Sequence, residues 1–231
     1  MDRYAHLFFD LDHTLWDFET NSRATLRELH TAEKLEDLGI PDVLEFIDAY
    51  EEINQALWQR YENGSLHKDV LRVLRFRNTL LRFGLKNEAL AVRLGRVYIA
   101  QCPLRPALMP GALELLNDLQ RRYRLHIITN GFDEVQRVKI TSSGIQDHFH
   151  VVLTSEMAGA RKPDPRIFAS ALKRAKAKAN ESLMIGDSVR ADIEGARGAG
   201  WDQAHFAPTG TLDQQATYTL RKLDDLRAIL L

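Results

Sequence analysis

A chain of 231 residues, 45% hydrophobic and 27% charged, has the composition of a globular protein that can bury a real core, as one large domain or two smaller ones. Its formal net charge of −1 excludes a global pull toward nucleic acid or an acidic membrane. The single cysteine, Cys102, excludes an intrachain disulfide and a multi-cysteine metal site, and reads as a small buried hydrophobe in a reducing compartment.

The chain opens with the short apolar run Leu7-Phe8-Phe9, too brief for a signal-peptide core, and no stretch approaches a membrane span. The expectation is therefore a cytoplasmic protein with no membrane and no nucleic-acid polymer as partner. The run reads as a buried strand ending in Asp10-Leu11-Asp12-His13-Thr14-Leu15. Residues i and i+2 of a strand share a face, so Asp10 and Asp12 are expected to project together from its carboxyl end, where open α/β sheets bind ligands. Two adjacent acids are not both ionised cheaply; either a cation sits between them or one holds a proton. An Asp-rich surface turn is the bland alternative for this stretch taken alone.

The interval from Asp12 to Thr129 far exceeds the roughly 30 residues of a strand–helix–strand unit, leaving about 80 in surplus. Its patterning predicts helices over 21–37, 41–62, 68–83 and 87–101, with Gly39, Gly64 and Gly84 at or near the breaks. We read an inserted helical bundle, with linkers at 16–19 and 102–106, able to act as a lid over the first strand. Trp16 and Phe18 could stack a base or wedge the hinge, and His67 or Lys68 in the turn 63–68 could meet a substrate.

Three further apolar runs follow. Leu125-His126-Ile127-Ile128 leads into Thr129-Asn130-Gly131, Val151-Val152-Leu153 into Thr154-Ser155-Glu156, and Leu183-Met184-Ile185 into Gly186-Asp187-Ser188. A weak fifth strand is predicted at 204–207. Helical patterns at 110–119, 132–143 and 164–178 alternate with the runs, which predicts an α/β fold with a doubly wound parallel sheet, Rossmann-like. The expected domains are a catalytic core of residues 1–16 and 105–231 and a helical cap of 17–104. Gly195, Gly198 and Gly200 read as close helix packing and a C-cap rather than a phosphate loop.

The predicted strand ends thus carry Asp10, Asp12, Thr129, Asn130, Gly131 and Asp187, with Asp192 five residues further on and Lys162 in the loop after the third strand. Carboxylates suit a hard divalent ion such as Mg²⁺, while a lysine, a hydroxyl and loop N–H groups suit phosphoryl oxygens. Phosphoryl transfer needs mainly positioning and charge neutralisation, which this set can supply.

Asp10-x-Asp12-x-Thr14, Thr129-Asn130-Gly131, Lys162-Pro163 and Gly186-Asp187-Ser188 with Asp192, in that order, resemble the four motifs of the haloacid dehalogenase-like superfamily of aspartate-nucleophile phosphohydrolases. The resemblance covers nearly the whole chain, and the surplus helices resemble that family's type 1 cap. Residues 10–19 are similar to the YjjG-type branch, which dephosphorylates nucleoside 5′-monophosphates. The resemblance implies Asp10 as nucleophile and metal ligand, and Asp12 as acid and base, protonated at the first step, with its backbone carbonyl on Mg²⁺. It implies Asp187 as the other side-chain metal ligand, and Thr129, Asn130, Gly131 and Lys162 as phosphate binders. Asp192 would orient Lys162 or a water on the metal. The implied substrate is a small phosphate monoester, with the oligomeric state left open between monomer and homodimer.

Three alternatives share part of this pattern. A sugar-phosphate or other small-metabolite phosphatase would use the same core. A haloacid dehalogenase needs neither Mg²⁺ nor a leaving-group acid. A non-catalytic phospho-acceptor signalling domain has neither the large helical insert nor an acid two residues beyond the phosphorylated one.

Overall fold

The computed structural model describes residues 3–231. It divides into two compact units, one built from the chain up to Phe18 together with 106–231, the other from Glu19–Arg105. In the first unit six strands form one parallel sheet: β1 (His6–Phe9), β2 (Arg124–Thr129), β3 (Phe149–Thr154), β4 (Ser182–Gly186), β5 (Asp202–Phe206) and β6 (Tyr218–Leu220). Their order is β3-β2-β1-β4-β5-β6. The chain reverses direction across the sheet between β1 and β4, so the crevice at their carboxyl ends is the natural ligand site of this topology. Both strands are buried at every position, as expected of central strands covered on two faces.

The helices of the second unit are α1 (Phe18–Ala32), α2 (Val43–Glu62), α3 (Lys68–Arg82) and α4 (Glu88–Gln101). The chain then returns to the first unit and adds α5 (Ala112–Leu119), α6 (Asp133–Ser142), the single turn α7 (Ser155–Ala158), α8 (Pro165–Ala175), the single turn α9 (Gly195–Gly198) and α10 (Leu226–Leu230). The face of α8 that carries Ile167, Phe168 and Ala171 packs into a cluster with Phe8, Ile128, Leu153, Met184 and Trp201. Asp164 caps this helix by accepting the Arg166 N–H at 2.9 Å, and Pro165 occupies the first turn, where a missing N–H costs nothing. The helix ends at Ala175 rather than 178 because Lys176 turns left-handed at φ 54°. Among the three late glycines, only Gly195 is a close-packing position: a Cβ there would stand 2.9 Å from the Phe168 ring, whereas one at Gly198 would meet nothing.

Within the helical unit, side-chain caps start three helices: Asp42 at α2, His67 at α3 and Asn87 at α4. The helix predicted over 21–37 begins earlier and stops at Ala32. Lys34 is left-handed at φ 48° and the Leu35 N–H bonds back to His30 O at 3.0 Å, closing the helix end. Gly64 and Gly84 supply positive φ at the ends of α2 and α3 (76° and 77°). The interior holds Tyr50, Phe76 and Tyr98, with the Ser22 and Tyr98 hydroxyls 2.7 Å apart and burial pushing the Tyr50 hydroxyl up to about 12. The Arg75 guanidinium carbon lies 4.5 Å from the Tyr98 ring centre, so aromatic faces hold this buried charge. Cys102 is buried, as expected. Among the described residues no helix is long and apolar enough to cross a membrane.

One packing feature of the sheet carries a pH signature. His6 Nδ1 and His126 Nε2 lie 2.9 Å apart on β1 and β2, and Phe8 stacks on the His126 ring at 4.5 Å. Burial, with the His6 and His150 imidazoles behind it, pushes His126 down from 6.5 to about 3. The folded chain therefore refuses a proton that the unfolded chain accepts. The resulting stability is present above pH 6.5 and drains away as pH falls toward about 3. Replacing His126→Leu is expected to flatten the fall of the urea midpoint between those limits. An unchanged slope would assign the acid sensitivity to other groups.

Candidate active site

Four chain segments meet at the carboxyl ends of β1, β2 and β4. Asp10 follows β1 directly, its N–H held by Ile185 O at 2.9 Å. The next turn is organised by one carbonyl: Leu11 O accepts the N–H groups of Thr14, Leu15 and Trp16. Leu15 O and the Asp17 N–H then bond to Met109 and Ala107, fixing the segment from both sides.

Lys162 is the centre of the site. Its ammonium donates to Asp10 Oδ1 at 2.6 Å, Asp192 Oδ1 at 2.6 Å and Ile128 O at 2.8 Å, so all three protons are used. The Asn130 amide grips the lysine's own backbone at both ends, accepting from its N–H at 2.8 Å and donating to its carbonyl at 3.0 Å. Asp192 is almost wholly buried and bonded on both oxygens, the second accepting the Ser188 N–H at 3.1 Å. It sits in a π-helical turn, Val189–Glu194, of the kind that recurs at functional sites. Gly186 has no room for a side chain, because a Cβ would stand 2.2 Å from Asp192 Oδ2.

Thr129 ends β2 with its hydroxyl accepting the Gly131 N–H at 3.1 Å and Gln136 Nε2 at 2.7 Å. Both lone pairs are engaged, which leaves the O–H to donate toward a ligand oxygen. Thr14 donates to Asp187 Oδ1 at 3.2 Å. His205 lies 3.1 Å from Asp187 O through Nε2; its Nδ1 accepts the Asp213 N–H at 2.9 Å, so Nε2 carries the proton and donates.

Among the described residues, one set of carboxylate oxygens lies close enough to share a cation: Asp10, Asp187 and Asp192, all within 4.8 Å of one another. The expected set also counted Asp12, through its backbone carbonyl, and placed Asp192 behind the metal to orient Lys162; Asp192 does bond Lys162 at 2.6 Å. The Asp12 side chain lies outside that group. Its Oδ1 pairs with Lys139 Nζ at 2.5 Å and its Oδ2 accepts from Gln136 Nε2 at 2.9 Å. β1 ends at Phe9 and the chain turns immediately, and the Asp12 charge still acts on Asp10.

Electrostatics follow this division. Burial pushes Asp10 up to about 7 against the pull of Lys162, and burial with the Asp10 charge pushes Asp187 up to about 6. Burial also raises Asp192. Burial alone would raise Asp12, but the Lys139 charge and the bonds from Lys139 and Gln136 outweigh it and hold the carboxyl below its ordinary range. Asp12 is therefore ionised in this arrangement, not protonated. Trp16, a candidate base-stacking residue, is fully buried beneath the Lys139 ammonium, which lies 4.3 Å from its ring centre. His67 caps α3 within the helical unit.

The sequence reading missed Gln136 and Lys139. Both lie on α6 three residues apart, hence on one face. A glutamine and a lysine spaced that way just after Thr129-Asn130-Gly131 were the available signal.

A parallel sheet of order β3-β2-β1-β4-β5-β6 with buried acids, a fully committed lysine and a donor hydroxyl at its switch point defines an α/β enzyme whose site handles anionic oxygens. The chain belongs to the haloacid dehalogenase-like hydrolases, whose family model matches residues 4–200. It is 33% identical to the pyrimidine 5′-nucleotidase PynA of Streptococcus pneumoniae, covering 96% of this chain and 93% of that protein. It is 30% identical to the pyrimidine 5′-nucleotidase YjjG of Escherichia coli, with 99% and 98% covered. The crystal structure of the HAD-hydrolase YfnB from Bacillus subtilis, bound to magnesium, superimposes with a TM-score of 0.88 at 33% identity over 99% of each chain.

Removing the central cation should be severe. Lys162→Met leaves Asp10 and Asp192 facing each other without a counter-charge, which is expected to destabilise the protein by about 3–5 kcal/mol at neutral pH. The loss should shrink on acidification as those carboxyls take up protons. Urea unfolding at two pH values checks this; a pH-independent loss would mean that packing, not charge, is what Lys162 supplies.

Proposed function

We propose that the protein is a Mg²⁺-dependent phosphatase that hydrolyses small phosphate monoesters, nucleoside 5′-monophosphates foremost, through an aspartyl-phosphate on Asp10. The carrying observation is the shared ammonium of Lys162 between Asp10 and Asp192, beside Asp187 and the donor hydroxyl of Thr129. The substrate class is supported by the two pyrimidine 5′-nucleotidases that cover nearly the whole chain.

The donor set fits a divalent cation. When ionised, Asp10, Asp187 and Asp192 carry three negative charges against the single positive charge of Lys162, while Asp12 is balanced separately by Lys139. A hard dication matches the two unbalanced charges and the all-oxygen chemistry. Asp10 and Asp187 would hold it, with the Asp12 backbone carbonyl as a third ligand; Asp192 is already bonded on both oxygens and serves to hold Lys162. When bound, Mg²⁺ neutralises phosphoryl charge and keeps Asp10 ionised.

The chain's own groups supply the rest. Asp10 attacks phosphorus, forming the acyl phosphate as the bond to the leaving oxygen breaks. Asp12, ionised at rest, takes up a proton before this step and delivers it to that oxygen. In its ionised form, the form bonded to Lys139 and Gln136, it then takes a proton from the water that attacks the acyl phosphate. Inorganic phosphate leaves and Asp10 is restored. Throughout, Lys162, the Thr129 hydroxyl and the loop N–H groups of Asn130 and Gly131 would neutralise the phosphoryl oxygens.

Turnover of p-nitrophenyl phosphate and of a panel of ribo- and deoxynucleoside 5′-monophosphates tests the reading. Hydrolysis should require Mg²⁺, disappear after exhaustive chelation, and vanish in Asp10→Asn with the fold intact by circular dichroism. A preference for hexose phosphates would move the substrate to the sugar-phosphate class. Halide release from a 2-haloacid with no phosphatase activity would sink the proposal.

A further inference from the structure

Gln136 and Lys139 do not belong to any of the four motifs, yet both reach the same carboxylate. Gln136 is fully buried, and its Nε2 bridges Asp12 Oδ2 at 2.9 Å and Thr129 Oγ1 at 2.7 Å. These two acceptors settle the amide's orientation, because the flipped form would set a carbonyl oxygen against a carboxylate. The orientation leaves Gln136 Oε1 buried with no hydrogen-bond partner. An orphaned buried acceptor weakens the fold. Gly131 is shaped to the same side chain, since a Cβ there would stand 2.2 Å from Gln136 Nε2.

Lys139 completes the arrangement. It is 5% exposed, and among the described residues its ammonium has a single ion-pair partner, Asp12 Oδ1 at 2.5 Å. Trp16 and Phe18 lie beneath it at 4.3 and 5.4 Å from their ring centres, so its stem and head are confined. Asp12 is thereby grasped at both oxygens by one face of α6, and Gln136 ties that grasp to the hydroxyl of Thr129.

We propose that Gln136 and Lys139 are positioning residues that aim the Asp12 carboxylate at the leaving-group oxygen. The assignment rests on the phosphatase reading above, in which Asp12 handles the leaving group. An alcohol leaving from a nucleotide needs a proton delivered along a defined line, whereas p-nitrophenolate departs unaided. Loss of aim should therefore show only where the leaving group needs help.

The test compares the first turnover of wild type, Lys139→Met and Gln136→Met with two substrates. In both variants, the first-turnover rate of nucleoside release from its 5′-monophosphate is expected to fall by about tenfold or more at saturating substrate, a small share of typical acid–base catalysis. The p-nitrophenol burst should stay within about threefold of wild type. Gln136→Glu, which sets a second carboxylate against Asp12, should lose more nucleotide turnover than Gln136→Met. Should Lys139→Met fail to fold, Gln136→Met removes no charge and carries the same comparison. Equal losses on both substrates, or none on either, would overturn the positioning role while leaving the phosphatase reading intact. A wild-type protein inactive on both would overturn that reading and this assignment with it.

Discussion

The ammonium of Lys162 stands between two buried carboxylates, and most of the site is arranged to keep it there. Asn130 clamps the lysine backbone, Ile128 O takes its third proton, and Asp192 is placed by a π-helical turn that needs a glycine at 186 to pass. A buried lysine without these partners would lose its charge, and buried acids without the lysine would keep their protons. Because Asp10 directly follows β1 and Asp192 lies in the turn after β4, one cation couples the two sides of the topological switch point. The chemistry and the stability of the central strands therefore depend on the same contact.

A second ion pair makes the crowding of acids tolerable. Asp12 is drawn to Lys139 and Gln136 on α6 instead of sharing a cation with Asp10. The two acids of the first motif end up with separate counter-charges, so both can be ionised at once, which neither could afford as neighbours in a dry site. The turn built on Leu11 O begins directly after the strand ends at Phe9, and Asp12 within it reaches α6. In the proposed mechanism the roles would divide accordingly, the nucleophile Asp10 being held by Lys162 and the proton handler Asp12 by α6.

Legibility differed by element for physical reasons. The buried strands β1, β2 and β4 are short apolar runs ended by small polar residues, a pattern with few other meanings, and their ends carried Asp10, Thr129 and Asp187 where expected. The three-residue β6 has no such pattern: Tyr218-Thr219-Leu220 is a strand only because β5 offers it an edge. Helix ends were displaced where a residue other than glycine turned left-handed, at Lys34 and Lys176, since nothing in a lysine announces that conformation. Asp192, expected to orient Lys162, bonds it directly, and its second oxygen is spent on the Ser188 N–H.

Order along the chain was enough to determine the alternation of strands and helices, the helical insertion, and the inventory of acids, lysine and hydroxyl at the strand ends, because periodicity and strand-end residues are local properties. Which acid pairs with which lysine was decided only in three dimensions. Asp12 and Lys139 are separated by 127 positions, Asp10 and Lys162 by 152, and no local pattern encodes a partner at that distance. The pairing follows from where the sheet order sets β1 against β2 and β4, and from the turn after Phe9 that brings Asp12 to α6.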